Sequence, residues 1–233
     1  MGDRYFSEEL FRFLKQLKRN NKREWFQANK PRYETVVRDP CLRFIGELAG
    51  PLQRISPWLL ADPHPTRGSL FRIYRDTRFS ADKRPYKTHV GISFPHRATK
   101  QKVHVPGFYL HLEPESCFAA AGCWHPDSAT LTQIRNTIVE RPQEWKKAVR
   151  GLELEGEALS RPPRGYPCDH PLIEDLKRKD FLASVEFRDT QVCGPNFMSD
   201  FVAGCRKLSP LVGFLAAALG LEYEDAPDLR KRA

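Results

Sequence analysis

The sequence predicts an α+β fold: a mainly antiparallel sheet packed against N-terminal and C-terminal helices. Three observations predict it. Apolar residues recur at helical spacing through residues 7–57 and again through 197–219. Between these regions, five short stretches read as strands, three of them alternating apolar and polar side chains as half-buried strands do. No internal repeat and no convincing linker divides the chain, so residues 1–220 read as one α+β domain and 221–233 as a C-terminal tail.

Taken in order, Ser7 is placed to cap a first helix with Leu10, Leu14 and Leu17 on one face and Phe11 and Phe13 flanking it. Asn20-Asn21 stops that helix. Asn21 with Glu24 resembles a capping pair for a short turn holding Trp25 and Phe26. Pro31 can open the next helix, through Tyr33 and Val36-Val37, and Asp39-Pro40 supplies a fresh N-cap and first position. Ile45, Leu48, Leu52 and Ile55 continue at helical spacing, with Pro51 as a point of kinking. After a loop over 58–69, strands are expected over 71–74, 86–94, 108–112 and 116–121, the last entered through a Pro114-Glu115 turn. Residues 95–106 form a basic connection. Asp127 can cap a helix carrying Leu131, Ile134 and Ile138, and Pro142 starts a shorter one with Trp145 and Val149. Residues 151–160 fit either a strand or an exposed turn, and 161–167 are irregular. A short helix runs from Asp169-His170-Pro171 to Lys177, and 181–187 is a fifth strand. The closing helical pattern is interrupted at Ser209-Pro210 and stopped by Gly220.

Composition narrows the class. The 233 residues suffice for a sizeable core, and 40% hydrophobic with 11% aromatic content argues against general disorder. The net charge is +9, and much of the excess is local: nine basic residues face two acidic ones between Phe71 and His104. Such a segment favours phosphates, nucleic acid or acidic metabolites. Cys41, Cys117, Cys123, Cys168, Cys193 and Cys205 are scattered, with no Cys-x-x-Cys pair, which predicts reduced thiols in a cytoplasmic protein. The N-terminus has no signal-peptide apolar core, and the longest apolar run, 211–219, is too short to span a membrane.

Chemistry concentrates in residues 71–89. Arg72, Arg75, Arg78 and Arg84, Lys83 and Lys87, Asp76 and Asp82, and Tyr74 and Tyr86 all fall in one strand-loop-strand unit. Arginine presents a planar fork suited to carboxylate and phosphate oxygens. Two aspartates are too few for all these cations, which points to an external anion. If the strands share a sheet, alternation places Arg72, Tyr74, Lys87, His89, Tyr109 and His111 together on the face opposite the helices. The candidate anion ligands are therefore Arg72, Arg75, Arg78, Lys83 and Lys87, supported by Asp82, Tyr86, Tyr109 and His111. Asp76 and His89 are the acid-base candidates. No metal site is assigned, because His89, His111, His125 and Asp76 show no ligand spacing. Cys117 and Cys123 are weak nucleophile candidates, better explained as buried thiols. No Walker loop, dinucleotide fingerprint or nucleophile elbow is present, and no cofactor follows from the sequence. Arg135, Arg161, Arg164, Lys177, Arg178 and Lys179 are candidates to extend a basic surface, each more simply a solvated charge. Trp25 and Trp124 read as core or pocket walls.

The pattern Arg72-x-x-Arg75-Asp76-x-Arg78-Phe79-x-x-Asp82-Lys83-x-x-Tyr86 resembles the signature of a widespread bacterial family of conserved hypothetical proteins of unknown function. The resemblance extends to the 20–26 segment, to Tyr109-Leu110-His111-Leu112 and to Leu131-Thr132-Gln133-Ile134-Arg135. It implies membership and no mechanism. Three readings follow from the residues. The first is binding of a phosphorylated or carboxylated small molecule on the polar sheet face, with catalysis as an option. The second is nucleic-acid binding or a nuclease, with Tyr74, Tyr86 and Tyr109 stacking bases. The third is a structural or partner-binding module in which the motif is an internal salt-bridge lock. The first is preferred, because the motif mixes acids with bases. No membrane partner is expected, and the sequence does not set the oligomeric state.

Overall fold

A computed structural model describes residues 3–99 and 105–223. Lys100, Lys102 and His104 of the basic connection, and 224–233 of the expected tail, lie outside the described residues. The chain forms the expected α+β arrangement. Four antiparallel strands, β1 (Val90–Pro95), β2 (Gly107–Glu113), β3 (Ser116–Cys123) and β4 (Phe181–Phe187), lie in the order β1-β2-β3-β4. Pro114 and Glu115 make the two-residue turn between β2 and β3, with Glu115 at φ 69°.

One sheet face is apolar and closed. Val90, Ile92 and Phe94 of β1, Phe108, Leu110 and Leu112 of β2, and Ala119, Ala121 and Cys123 of β3 alternate into it and are buried. The helices cover this face. α1 (Glu8–Arg19) buries Leu10, Phe11, Phe13, Leu14 and Leu17, with Ser7 at the N-cap position but no hydrogen bond from its side chain. α2 (Arg23–Tyr33) and α3 (Asp39–Gln53) are joined by a single π-helical turn, Glu34–Arg38. Pro31 therefore lies in the last turn of α2 and does not open a new helix. The wider turn begins three residues after Pro31, at Glu34. α4 (Ser128–Glu140), capped by Asp127 accepting from the Thr130 N–H at 2.8 Å, and α5 (Pro142–Ala148) come next. Glu155 bridges Leu182 of β4, and Ala158 bridges Arg178 just before that strand. Two four-residue helices, α6 (Ile173–Leu176) and α7 (Asp189–Val192), flank β4.

α8 (Phe197–Ala218) is one helix of 22 residues that runs through Ser209-Pro210 without the expected interruption. Leu208, Leu211 and Val212 are buried around the proline, and packing holds the helix together where propensity alone would end it. Among the described residues, α8 is the only helix long and apolar enough to cross a membrane, and 61% of its most apolar window is buried inside the fold. Residues 221–223 pack back: the His96 ring bonds the Glu222 carbonyl at 2.7 Å, and the Tyr223 hydroxyl meets Ser209 Oγ at 2.8 Å.

The expected strand over 71–74 is not regular. Residues 69–71 pair with the free edge of β1, through Ser93 N–H to Ser69 O and Phe71 N–H to Gly91 O, both 2.9 Å. The chain then bends at Ile73 and pairs with 85–87 instead, through Lys87 N–H to Ile73 O at 2.7 Å and Arg75 N–H to Pro85 O at 2.9 Å. This neck closes a projecting loop over 76–84. The bend also resets alternation. Leu70 bridges Ile92 and points inward with it, so Phe71, expected inside, faces out and is 46% exposed, while Ile73 turns back into the core.

Candidate functional site

The open face of the sheet carries the polar alternation of β2. Tyr109 and His111 point outward, and their β3 neighbours Ala120 and Phe118 share that side. His89 lies at the bend one residue before β1 and comes beside His111 and Glu113 of β2. The His89 ring stacks on His111 at 4.5 Å, and His111 stacks in turn on Phe118 at 4.7 Å. The Tyr109 hydroxyl meets His111 Nδ1 at 3.1 Å, and His111 Nε2 lies 3.5 Å from Glu113 Oε2. The nitrogen and oxygen donors of His89, His111 and Glu113 all lie within 4.8 Å of one another. Burial lowers the His89 pKa to about 4, aided by His111 beside it. Burial also lowers that of His111, against the pull of Glu113. Both imidazoles are neutral at physiological pH. Burial alone pushes the Tyr109 phenol up to about 12.

Gly91 makes this face possible. It lies opposite His111, and a Cβ there would fall 2.6 Å from the Tyr109 hydroxyl oxygen and 3.1 Å from Phe71 Cδ2. The exposed Phe71 ring lies 6.0 Å from Tyr109, and Lys87 Nζ sits 5.3 Å from the centre of that ring. Burial, then the charge of Arg72, lowers the Lys87 pKa. Among the described residues neither Arg72 nor Lys87 has a carboxylate partner.

The loop behaves differently. Asp76-Thr77-Arg78 and Asp82-Lys83-Arg84 adopt the same local arrangement. In each, an aspartate oxygen accepts the backbone N–H of the arginine two residues on, and the carboxylate also takes its guanidinium, with Nη2–Oδ2 at 2.7 Å in both. Asp82 additionally receives Arg75, and Lys83 donates to the Thr77 carbonyl at 3.0 Å. The Arg78 hydrogen bonds lower the Asp76 pKa to about 2, which leaves a weak base, and those of Arg84 and Arg75 hold Asp82 still lower. Loop arginines that read as surplus cations are thus neutralised within the chain.

Tyr86 forms the floor between loop and helices. It is 2% exposed and stacks on Phe26 at 4.2 Å. The Asn21 side chain clamps its backbone, donating to Tyr86 O at 2.9 Å and accepting from Tyr86 N–H at 3.0 Å. Asn21 therefore does not act as the expected helix cap; Lys22 occupies that position. Tyr74 also leaves the expected face. Its ring lies against Phe26 and Tyr86, and with Arg23, Gln27, Arg75, Thr77 and Pro85 it lines a cleft of about 310 Å³ on the other side of the neck.

The remaining candidates fall elsewhere. His125 pairs with the buried Asp180 at 3.0 Å, away from His89 and His111, and the exposed Trp124 stacks on it. Trp25 packs against Phe13 at the core margin. Burial pushes the Cys117 and Cys123 thiols up to about 12, so neither is a thiolate at neutral pH. Arg135 is buried and donates to the Arg178 carbonyl at 2.9 Å; Lys177 and Lys179 pair with Glu174 and Glu157. Arg161 and Arg164 are exposed. Glu113 was missed by the sequence reading, although His-x-Glu on a strand puts both side chains on one face.

No curated protein and no solved structure shows significant similarity to the chain. A family profile matches residues 9–214, a span that includes the sheet, the charged loop and the open face. The chain belongs to that family, described as Conserved hypothetical protein (DUF2461).

Proposed function

We propose that the protein binds a small anionic ligand, phosphorylated or carboxylated, on the open face of the sheet. One observation carries this reading. The half-buried Lys87 sits 5.3 Å from the Phe71 ring, its pKa lowered by burial and then by the charge of Arg72, and no carboxylate among the described residues neutralises either cation. Holding two unpaired cations together, one of them partly desolvated, costs free energy that a bound anion returns. Tyr109 and Phe71 border the pair, and His111 adds a nitrogen within reach of the Tyr109 hydroxyl. No reaction is assigned. The scattered thiols, none of them in a disulfide, fit a cytoplasmic setting.

A second reading, single-stranded nucleic acid, draws support from Phe71, Tyr109 and Phe118, three aromatic rings beside cations on one sheet face. The internal-lock reading is supported for the loop alone, where Arg75, Arg78 and Arg84 are paired with aspartates.

A thermal-shift screen tests these readings, using pyrophosphate, sugar phosphates, citrate, nucleotides and short single-stranded DNA and RNA at two salt concentrations. The anion reading predicts a salt-tolerant rise in melting temperature with at least one small anion, abolished in Lys87→Met and reduced in Arg72→Gln. A response confined to polynucleotides and lost at moderate salt would establish the second reading instead. A small-anion shift that survives both substitutions would overturn the assignment of this face.

A further inference from the structure

His89, at the bend leading into β1, and His111 and Glu113 of β2 converge onto one spot of the open face. His111 and Glu113 stand two residues apart on β2, and His89 comes in from the bend just before β1, its ring stacked on His111 at 4.5 Å. The 3.5 Å between His111 Nε2 and Glu113 Oε2 is long for a charge-assisted hydrogen bond, which runs at about 2.7–2.9 Å. It is close to the ~3.4 Å that separates two ligand atoms held about 2.1 Å from a tetrahedral ion. One ligand atom from each of the three side chains already lies within 4.8 Å of the other two.

The outer atoms of two of these side chains are held. His111 Nδ1 meets the Tyr109 hydroxyl at 3.1 Å, which sets Nε2 as the atom presented to Glu113. Glu113 Oε1 receives Lys18 Nζ from α1 at 3.3 Å, which leaves Oε2 turned to His111. Metal-binding imidazoles and carboxylates are characteristically oriented by such outer partners. We propose that His89, His111 and Glu113 bind a divalent transition-metal ion of the zinc class. Two imidazoles and one carboxylate leave a coordination position for water or an exogenous group, and imidazole suits zinc and its neighbours over magnesium or calcium. The competing explanation is an aromatic stack of His89, His111 and Phe118 that fills the face and binds nothing. The metal proposal goes beyond the anion reading and stands without it, since no anion enters its test.

The full-length protein, stripped with a chelator and exchanged into chelator-free buffer, is titrated with Co²⁺ and then with Zn²⁺ against a chromophoric competitor. The expected result is uptake of one equivalent, with visible Co²⁺ absorption that Zn²⁺ bleaches. His89→Gln and Glu113→Gln should each weaken Zn²⁺ binding by at least ~10-fold, because loss of even an outer partner costs that much. His125→Gln, at the unrelated pair with Asp180, should bind like wild type. Metal-free melting curves report whether each variant folds, and substitutions at two separate ligands keep the test decisive if one does not. Absence of stoichiometric uptake by folded wild-type protein would overturn the proposal. So would uptake that His89→Gln and Glu113→Gln leave intact.

Discussion

The charged loop over 76–84 and the open sheet face beside it are built from the same residue types, yet their charges meet opposite fates. In the loop, two Asp-x-Arg units fold back on themselves, and Asp82 reaches across to Arg75 as well. Beside the face, Lys87 feels the charge of Arg72 and neither has a carboxylate partner among the described residues, while Glu113, by the histidines, is turned toward His111 and Lys18. Charge density in a sequence therefore does not locate a binding site. What matters is which cations the local backbone leaves unneutralised. An aspartate two residues before an arginine can satisfy both its backbone N–H and its guanidinium. Lys87, half-buried in the neck with the Phe71 ring and the charge of Arg72 nearby, has no such outlet among the described residues.

The largest expected effect lies where the two regions join. Tyr86→Ala empties the stack on Phe26 and should cost about 3–5 kcal/mol in urea unfolding, as aromatic truncations in cores do. Asn21→Ala leaves the Tyr86 N–H and C=O without their clamp and should cost about 1–3 kcal/mol by the same measurement. If Asn21→Ala proved as costly as Tyr86→Ala, the clamp rather than the stack would hold the loop to the helices. Asp82→Asn should do far less to global stability, because exposed ion pairs contribute little. It should instead speed amide exchange across the loop while the open face stays protected. Equal loosening of the face would show that the two regions are not independent.

The pH dependence is smaller still and has a definite sign. Both loop carboxyls titrate below their ordinary value of 3.8. Their contribution is thus complete above that value and is lost only as pH falls through the folded value, about 2 for Asp76. NMR of the carboxyl carbons should find both groups still ionised at pH 3. Half-protonation near the ordinary value would mean that the Asp-x-Arg units are open in solution.

Much of the fold was legible because periodicity sees burial. The β2 alternation placed Tyr109 and His111 outward and Phe108, Leu110 and Leu112 inward, as the structure has them. Alternation failed at Phe71 and Tyr74, because a bend at Ile73 passes the chain from one pairing partner to another, and nothing in the local pattern announces that bend. Pro31 and Pro210 misled for a different reason: tertiary packing carries a helix through a proline that would stop it in isolation. Tyr86 and Asn21 were read by residue type, as ligand and cap, when contacts 65 residues apart in sequence made them core and clamp. Glu113 was in plain view two positions after His111, but its relation to His89 depends on how the bend before β1 lies against β2, which only the folded sheet supplies.

The most direct test of the contrast between loop and face is one titration performed on three proteins. Wild type, Lys87→Met and Arg78→Gln are each titrated calorimetrically with the small anion that gives the largest thermal shift, at moderate salt. The account predicts that Arg78→Gln binds like wild type, since Arg78 is already spent on Asp76, while Lys87→Met loses binding. Binding lost in Arg78→Gln and kept in Lys87→Met would place the ligand on the loop and contradict the account.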